Sequence, residues 1–278
     1  MSVGFPFMQV LAMQVHNPSP SKKIKLKNFL TGQVAQAITV SDRNALPDAI
    51  ATLGFQGSRP VLVIVGGASN LAPDDYTRLE NLFVESLAPL AEELGMIVVD
   101  GGTDVGVMRL MGRARAKLGA AFPLVGVTPF HKARVPQNPN PQAKSLEPNH
   151  THFILVPGFE WGDESPWIAD VATALSGKAP SVTILLNGGS ASLSDVRASI
   201  AGSRPVVVIA GTGRLADELA TAIRHPDVTV RPELSPVIET GLRSVGFALF
   251  DLSKSKAQFQ VGLRQHMLSR KSLVLSKA

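Results

Sequence analysis

Short apolar runs recur along the chain, and they are continuous rather than alternating: VLVIV (61–65), MIVVD (96–100), LVGVT (124–128), FILV (153–156), VTILL (182–186), VVVIA (206–210) and FALFDL (247–252), with an earlier one at AITV (37–40). Runs that are apolar at every position and rich in Val and Ile suit strands whose sheet is covered on both faces. Between them lie segments whose apolar residues return every three or four positions: 73–94, opening Pro73-Asp74-Asp75, and 104–119, with Val107, Met108, Met111 and Ala114 on one side. Further helices are expected at 163–176, 192–201, 214–224 and 255–268. Strand and helix in alternation require right-handed crossovers and a mainly parallel sheet, an α/β doubly wound architecture. The stretch 129–149, PFHKARVPQNPNPQAKSLEPN, has no apolar period and is rich in Pro and Asn. A loop of that length in a compact domain is usually functional or disordered, so it is expected to act as a lid. Residues 1–35 read as an N-terminal arm, 36–268 as a single domain and 269–278 as a basic tail.

With 278 residues and 45% apolar content, the chain can bury a full core. It has no cysteine, which removes disulfides, thiolate metal clusters and thiol nucleophiles and fits a reducing compartment. No run reaches the roughly 18 apolar residues of a membrane helix, and the apolar start MSVGFPFMQVLAMQV has no basic flank or cleavage pattern. A cytoplasmic protein is expected, which makes the glycosylation triplet Asn149-His150-Thr151 a chance match. The net charge of +5 is carried by the ends: 253–278 has six basic and no acidic residues, and 1–58 has five basic against two acidic. No aromatic residues interleave with these cations, so nucleic acid is not an expected partner.

Four strands end in glycine-bearing turns: VGGASN (65–70), DGGTDVGVM (100–108), NGGSASLSD (187–195) and AGTGRLAD (210–217). Glycine is the ordinary way to leave a strand, so one such turn says little. In a parallel sheet, however, all four lie along the carboxyl edge, where backbone N–H groups and helix N-termini favour a phosphate-bearing ligand. The candidate binding residues are Gly66, Gly67, Ser69, Asn70, Gly101, Gly102, Thr103, Gly106, Gly188, Gly189, Ser190, Gly211 and Gly213, with hydroxyls from Ser192 and Thr212. Gly211-x-Gly213-x-x-Ala216 also fits a dinucleotide fingerprint, with Glu233 near the distance of its usual acidic partner. That leaves a nicotinamide oxidoreductase as a weaker alternative.

Taken in order, VIVGGASNL, VVDGGTDVGVM, LEPNHTHFILV, VTILLNGG and VVVIAGTGRLAD resemble the prokaryotic branch of the SLOG superfamily, the branch similar to the N-terminal cytosolic region of TRPM channels. The resemblance covers roughly 36–268. It implies a Rossmann-like sheet that senses nucleotide-derived ligands, with ADP-ribose and NAD-derived relatives the leading class, no required cofactor, and a homo-oligomer or separate effector as partner. It also implies ligand contact at Gly66, Gly67, Asn70, Gly101, Gly102, Thr103, Gly106, Gly213 and Arg214. Where the channel sequences place a Tyr-Gly element and then an arginine after the histidine strand, this chain has Trp161 and no arginine between Lys144 and Lys178. Trp161 is the aromatic left to stack on a base.

The related LOG-type phosphoribohydrolases carry a Gly-Gly-x-Gly-Thr-x-x-Glu motif, and GGSASLSD (188–195) keeps its spacing with Asp195 in the place of glutamate. Asp195 is thus the candidate catalytic carboxylate of an alternative function, hydrolysis of an N-glycosidic or phosphoribosyl bond. The family's catalytic arginine is not found. His150 and His152, two apart on an expected strand, would share a face and meet His131 from the loop. Their surroundings fit no zinc signature, so no metal site is expected. Asn149, His150 and His152 read instead as a polar network supporting the ligand turns.

Overall fold

The computed structural model describes residues 23–27, 34–67, 72–135, 138, 140–244 and 246–269. The chain enters through β1 (Lys23–Lys27), β2 (Val34–Thr39) and α1 (Leu46–Thr52). It continues through β3 (Val61–Gly66), α2 (Pro73–Leu82), α3 (Ala88–Glu93), β4 (Ile97–Asp100), α4 (Gly106–Leu118) and β5 (Leu124–Pro129). After the long loop come β6 (His152–Val156), α5 (Ser165–Ser176), β7 (Ser181–Leu186), α6 (Ser190–Ala201) and β8 (Val206–Ala210). The last elements are α7 (Arg214–Arg224), α8 (Ser235–Ser244), β9 (Phe247–Asp251) and α9 (Lys256–Ser269).

These strands form one nine-stranded sheet in the order β1-β2-β6-β5-β4-β3-β7-β8-β9. Every neighbouring pair is parallel except β1 with β2, so the expected doubly wound, Rossmann-like α/β fold is what forms. Strand alternation divides the core into two layers. Val61, Val63 and Val65 meet helices α1 and α5 to α8 on one face, while Leu62 and Ile64 meet α2 to α4 and α9 on the other. Both faces are dry, which is why the strands read as unbroken apolar runs. From central β3 the chain steps outward through β4, β5 and β6, then returns to β7 on the other side of β3. The carboxyl ends of β3 and β7 therefore flank the point where the winding reverses, the place where such sheets open a crevice.

Three features depart from the sequence reading. The helix expected over 73–94 runs from Pro73 to Glu93 but contains a π-helical turn at Phe83–Leu87, with Ala88 N–H bonded to Phe83 O. Pro89 supplies the cause: it lacks an N–H and would strike the carbonyl four residues back, and the wider turn accommodates it. Helices α1 and α8 and strand β1 were not apparent in the apolar pattern. Helix α8 is masked by Gly241, where a Cβ would overlap the Phe247 ring.

The long loop is not free over its described residues. Ala133 bridges to Lys144, Thr103 to Leu146, and Asp104 N–H donates to Ser145 O at 2.9 Å. Ala133 and Val135 join a third apolar cluster with Phe153 and Leu155.

The loop ends on a buried ionic network. Asp100, the last residue of β4, accepts from Gly102 N–H at 2.7 Å and from His150 Nε2 at 2.8 Å. His150 Nδ1 meets Glu147 Oε2 at 2.8 Å, and the Glu147 carboxylate also accepts from the Asn149 backbone and side-chain amides. Carboxylates only accept, so both imidazole nitrogens carry protons. Burial alone would lower the His150 pKa, but Asp100 and Glu147 outweigh it and raise it to about 9. Gly112 makes room for Glu147, since any Cβ there would overlap the carboxylate. Gly102 and Gly126 likewise pack back to back, a Cβ on Gly126 falling 2.5 Å from the Gly102 Cα.

The two histidines do not share a face as expected. His150 precedes β6 in a turn and stacks on Phe153, whereas His152, the first residue of β6, places its ring 4.6 Å from Phe55 on the α1 side and meets Thr151 through Nδ1. The turn breaks the two-residue alternation that the prediction assumed.

A group whose folded pKa lies above its unfolded value stabilises fully below the unfolded pKa and loses that contribution as pH rises through the folded one. Urea unfolding should therefore show stability falling between pH 6.5 and about 9. His150→Gln should flatten that slope and cost about 3 kcal/mol at pH 7, because two buried carboxylates lose their cation. A native profile that is level from pH 6.5 to 9.5 would refute the charged network.

Candidate functional site

At the carboxyl edge of the sheet, beside the β3 end, lies a cleft of about 280 Å³. Its floor is Ile64, Val65 and Gly66 of β3 together with Gly101 and Thr103 from the turn after β4. One wall is Val105 and Met108 at the start of α4, joined by Lys144 from the long loop. The opposite wall is Trp161, Glu164 and Ile168, on the approach to and first turns of α5, with Ala191, Ser192 and Asp195 of α6.

Local sequence explains each wall. Helix α4 opens after Val105, which offers no side-chain cap, so its first N–H groups remain available at the cleft. Helix α6 opens at Gly189, whose N–H donates to Ser192 Oγ at 3.3 Å. Gly66 has φ +132, and a Cβ there would overlap the Leu186 carbonyl, so only glycine lets β3 run this close to β7 as the floor is formed. Glu164 is drawn inward when Gly162, at φ +105, folds its N–H onto Glu164 Oε2 at 2.7 Å.

Two carboxyl groups face this largely apolar space. Burial is the main cause that raises the Asp195 pKa, to about 7, with the Glu164 charge adding to it and the Ser165 hydroxyl partly offsetting it. Part of the residue faces the cleft, yet its Oδ1 is buried without a hydrogen-bond partner among the described residues. Glu164 is 8% exposed, and burial pushes its pKa up as well. Trp161 stands at the mouth, 41% exposed, with Lys132 Nζ 6.0 Å from its ring centre. Beside it His131 stacks on Phe159 at 4.3 Å, so His131 belongs to the rim and not to a cluster with the other histidines.

Of the residues singled out in the sequence, the cleft gathers Gly66, Gly101, Thr103, Trp161, Ser192 and Asp195. Gly67, Gly102, Gly106, Gly188, Gly189 and Ser190 adjoin it without lining it, and several have other work. Gly67 N–H donates to Leu186 O at 3.0 Å, and Gly188 fits where a Cβ would meet the Ser192 side chain at 2.8 Å. Ser69 and Asn70 lie outside the described residues. None of Asn149, His150 and His152 lines the cleft: His150 braces the turn after β4 through Asp100, Asn149 bonds Glu147, and His152 packs on Phe55.

Gly211, Gly213 and Arg214 fall elsewhere. Arg214 lines a separate groove with Asp217, Glu218, Thr221, Val228 and Arg231, and a Cβ on Gly189 would come 2.8 Å from its guanidinium. The Gly211 and Gly213 N–H groups, which a pyrophosphate would use in the dinucleotide fingerprint, are bonded to the Asp217 carboxylate at 2.6 and 3.1 Å. Thr212 Oγ1 is also engaged, accepting from Asn187 N–H and donating to Ile209 O.

Sequence reasoning missed Glu164, Lys144, Val105 and Met108. Glu164 precedes a Ser-Pro helix start, where an acid is normally a solvated end group, and no local pattern reports the Gly162 fold that buries it. Lys144 is one of several cations in a loop without period.

The family described as "SLOG in TRPM, prokaryote" matches residues 59–261. The rat transient receptor potential cation channel subfamily M member 2 is 26% identical over 204 residues, which is 60% of this chain and 13% of the channel. The Nematostella vectensis member-like 2 protein is 28% identical over 204 residues, 59% of this chain and 13% of its own. Human subfamily M member 6 is 25% identical over 252 residues, 78% of this chain and 12% of the channel. The chain thus spans about an eighth of the length of these curated relatives. Among the described residues no helix is long and apolar enough to cross a membrane. With most of its length matched, cleft included, the chain belongs to the family described as SLOG in TRPM, prokaryote.

Proposed function

We propose that this protein binds a nucleotide of the ADP-ribose-like or NAD-derived class in the cleft at the carboxyl edge of its sheet, and acts as a sensor of that ligand. The observation that carries the reading is the position of the cleft. It opens where the strand order reverses, between glycine turns, with the uncapped start of α4 on its wall and Lys144 beside it. Phosphates go to Lys144 and the first turn of α4, a base stacks on Trp161, and ribosyl hydroxyls donate to Glu164 and Asp195. Membership of the SLOG family adds weight to a nucleotide-related ligand. The oxidoreductase alternative draws no support from the Gly211 fingerprint, because Asp217 already occupies its N–H groups.

One observation favours a second reading, in which the domain cleaves a glycosidic bond of the bound nucleotide. Asp195, with its pKa raised to about 7 and Glu164 beside it, is a carboxyl group poised between protonation states at neutral pH. In that reading its carboxylate stabilises the positive charge that develops on the ribose as the bond to the leaving group breaks.

In a thermal-shift panel of ADP-ribose, cyclic ADP-ribose, NAD and AMP, a bound ligand at about 100 times its dissociation constant should add roughly 2.7 kcal/mol. Ala191→Trp, which fills the cleft from α6, should abolish that shift while leaving a cooperative unfolding transition. A shift that survives this variant would move the site elsewhere, and silence with every nucleotide would refute the binding reading.

The hydrolase reading predicts, with native protein, that water displaces the base to give adenine and ribose 5-phosphate from AMP, or nicotinamide and ADP-ribose from NAD, in the chromatogram, and no such products with Asp195→Asn; intact nucleotides throughout would remove it. Independently of catalysis, the raised Asp195 pKa means native stability falls as pH climbs from about 4 through 7. Asp195→Asn should therefore be the more stable protein at pH 8, by about 1 to 3 kcal/mol, measured by urea unfolding. A less stable variant at that pH would show the carboxylate to be well solvated or paired.

A further inference from the structure

Glu164 and Asp195 pose a problem that nucleotide binding alone does not solve. Both face a mostly apolar cleft, and among the described residues neither forms an ion pair. The cation nearest Glu164, Lys132, bonds Glu160 at 3.1 Å, and Asp163 adds further negative charge. Lys144 lines the same cleft and forms no ion pair with either carboxyl group among the described residues. An ionised carboxylate held in apolar surroundings away from any cation is unfavourable, so the pair favours a proton or a bound cation. The walls around the pair are Met108, Ile168 and the indole of Trp161. An aromatic face beside carboxylates suits a cation that is large, flat and weakly hydrated better than an ammonium or a metal ion.

We infer that the cleft selects a nucleotide whose ribosyl end carries a positively charged aromatic ring, an N-ribosylpyridinium, over the same nucleotide with a neutral ring. This rests on the nucleotide reading and refines it: the ring lies between Trp161 and the carboxyl pair, and its charge takes the place of a proton on that pair. Oxidised nicotinamide adenine dinucleotide has this chemistry; its reduced form has nearly the same shape without the charge.

The test is isothermal titration of the full chain with analogues of oxidised and reduced nicotinamide adenine dinucleotide whose nicotinamide ribose is carbocyclic, so that they lack the glycosidic bond to nicotinamide, alongside ADP-ribose. At pH 8 the oxidised analogue should bind about tenfold tighter than the reduced one. At pH 6, where the pair holds its proton, the preference should narrow, and buffers of different ionisation heat should report proton release on binding. Glu164→Gln combined with Asp195→Asn should bring the ratio of the two analogues' affinities close to one whatever the change in absolute affinity, with a cooperative urea transition showing that the variant is folded. A ratio of about tenfold that survives in the folded variant would overturn the inference. Equal affinity for the two analogues, with ADP-ribose still bound, would overturn the cation inference and leave the nucleotide reading intact. Binding of none of the three would overturn both.

Discussion

An imidazolium buried between two carboxylates holds the carboxyl edge of this sheet in place. Asp100 ends β4, while Glu147 and His150 lie three residues apart where the long loop leads into β6, so one protonated ring ties the loop's end to the end of β4. The arrangement is demanding. Gly112 must lack a side chain to admit Glu147, and Gly102 and Gly126 must lack one for the turn after β4 to lie against β5. Within these limits Gly101 and Thr103 are presented to the cleft, and Thr128 Oγ1 fixes the Gly101 carbonyl at 2.8 Å. An ion network of this kind is a weak source of net stability, and its value lies in permitting one geometry of the turn rather than several.

On that fixed edge, the reversal of winding between β3 and β7 opens the cleft, and α4, α5 and α6 enclose it. The two halves differ in chemistry. The α4 side offers backbone N–H groups and Lys144, fit for an anion; the α5 and α6 side offers Glu164, Asp195 and an indole, fit for hydroxyls or a cation. A ligand that carries phosphate at one end and a sugar or ring at the other matches this polarity in one orientation. The cost of the second half is that Asp195 keeps a buried oxygen without a hydrogen-bond partner among the described residues, the sort of local conflict that functional sites retain.

The sheet was legible in the sequence because strands covered on both faces leave unbroken apolar runs, and helices between them leave a period near 3.6. Elements outside that logic were not legible. Strand β1 is an edge strand with lysines at alternate positions, and α8 carries a glycine on its packed face. The glycine turns looked equivalent as sequence but divide on inspection: Gly66 and Gly101 line the cleft, Gly102 and Gly188 relieve crowding, and Gly211 and Gly213 close around Asp217. Spacing records that glycine is needed, not which neighbour requires it. Asp195 was found through a motif, whereas Glu164 became visible only once the Gly162 turn brought it against the same space.

The most direct test of the central claim is hydrogen–deuterium exchange with and without ADP-ribose, read segment by segment. The account predicts slowed exchange in 101–108 and 188–195, the two stretches that meet across the cleft. Protection confined to the Arg214 groove at 214–234, or none anywhere at saturating ligand, would contradict it.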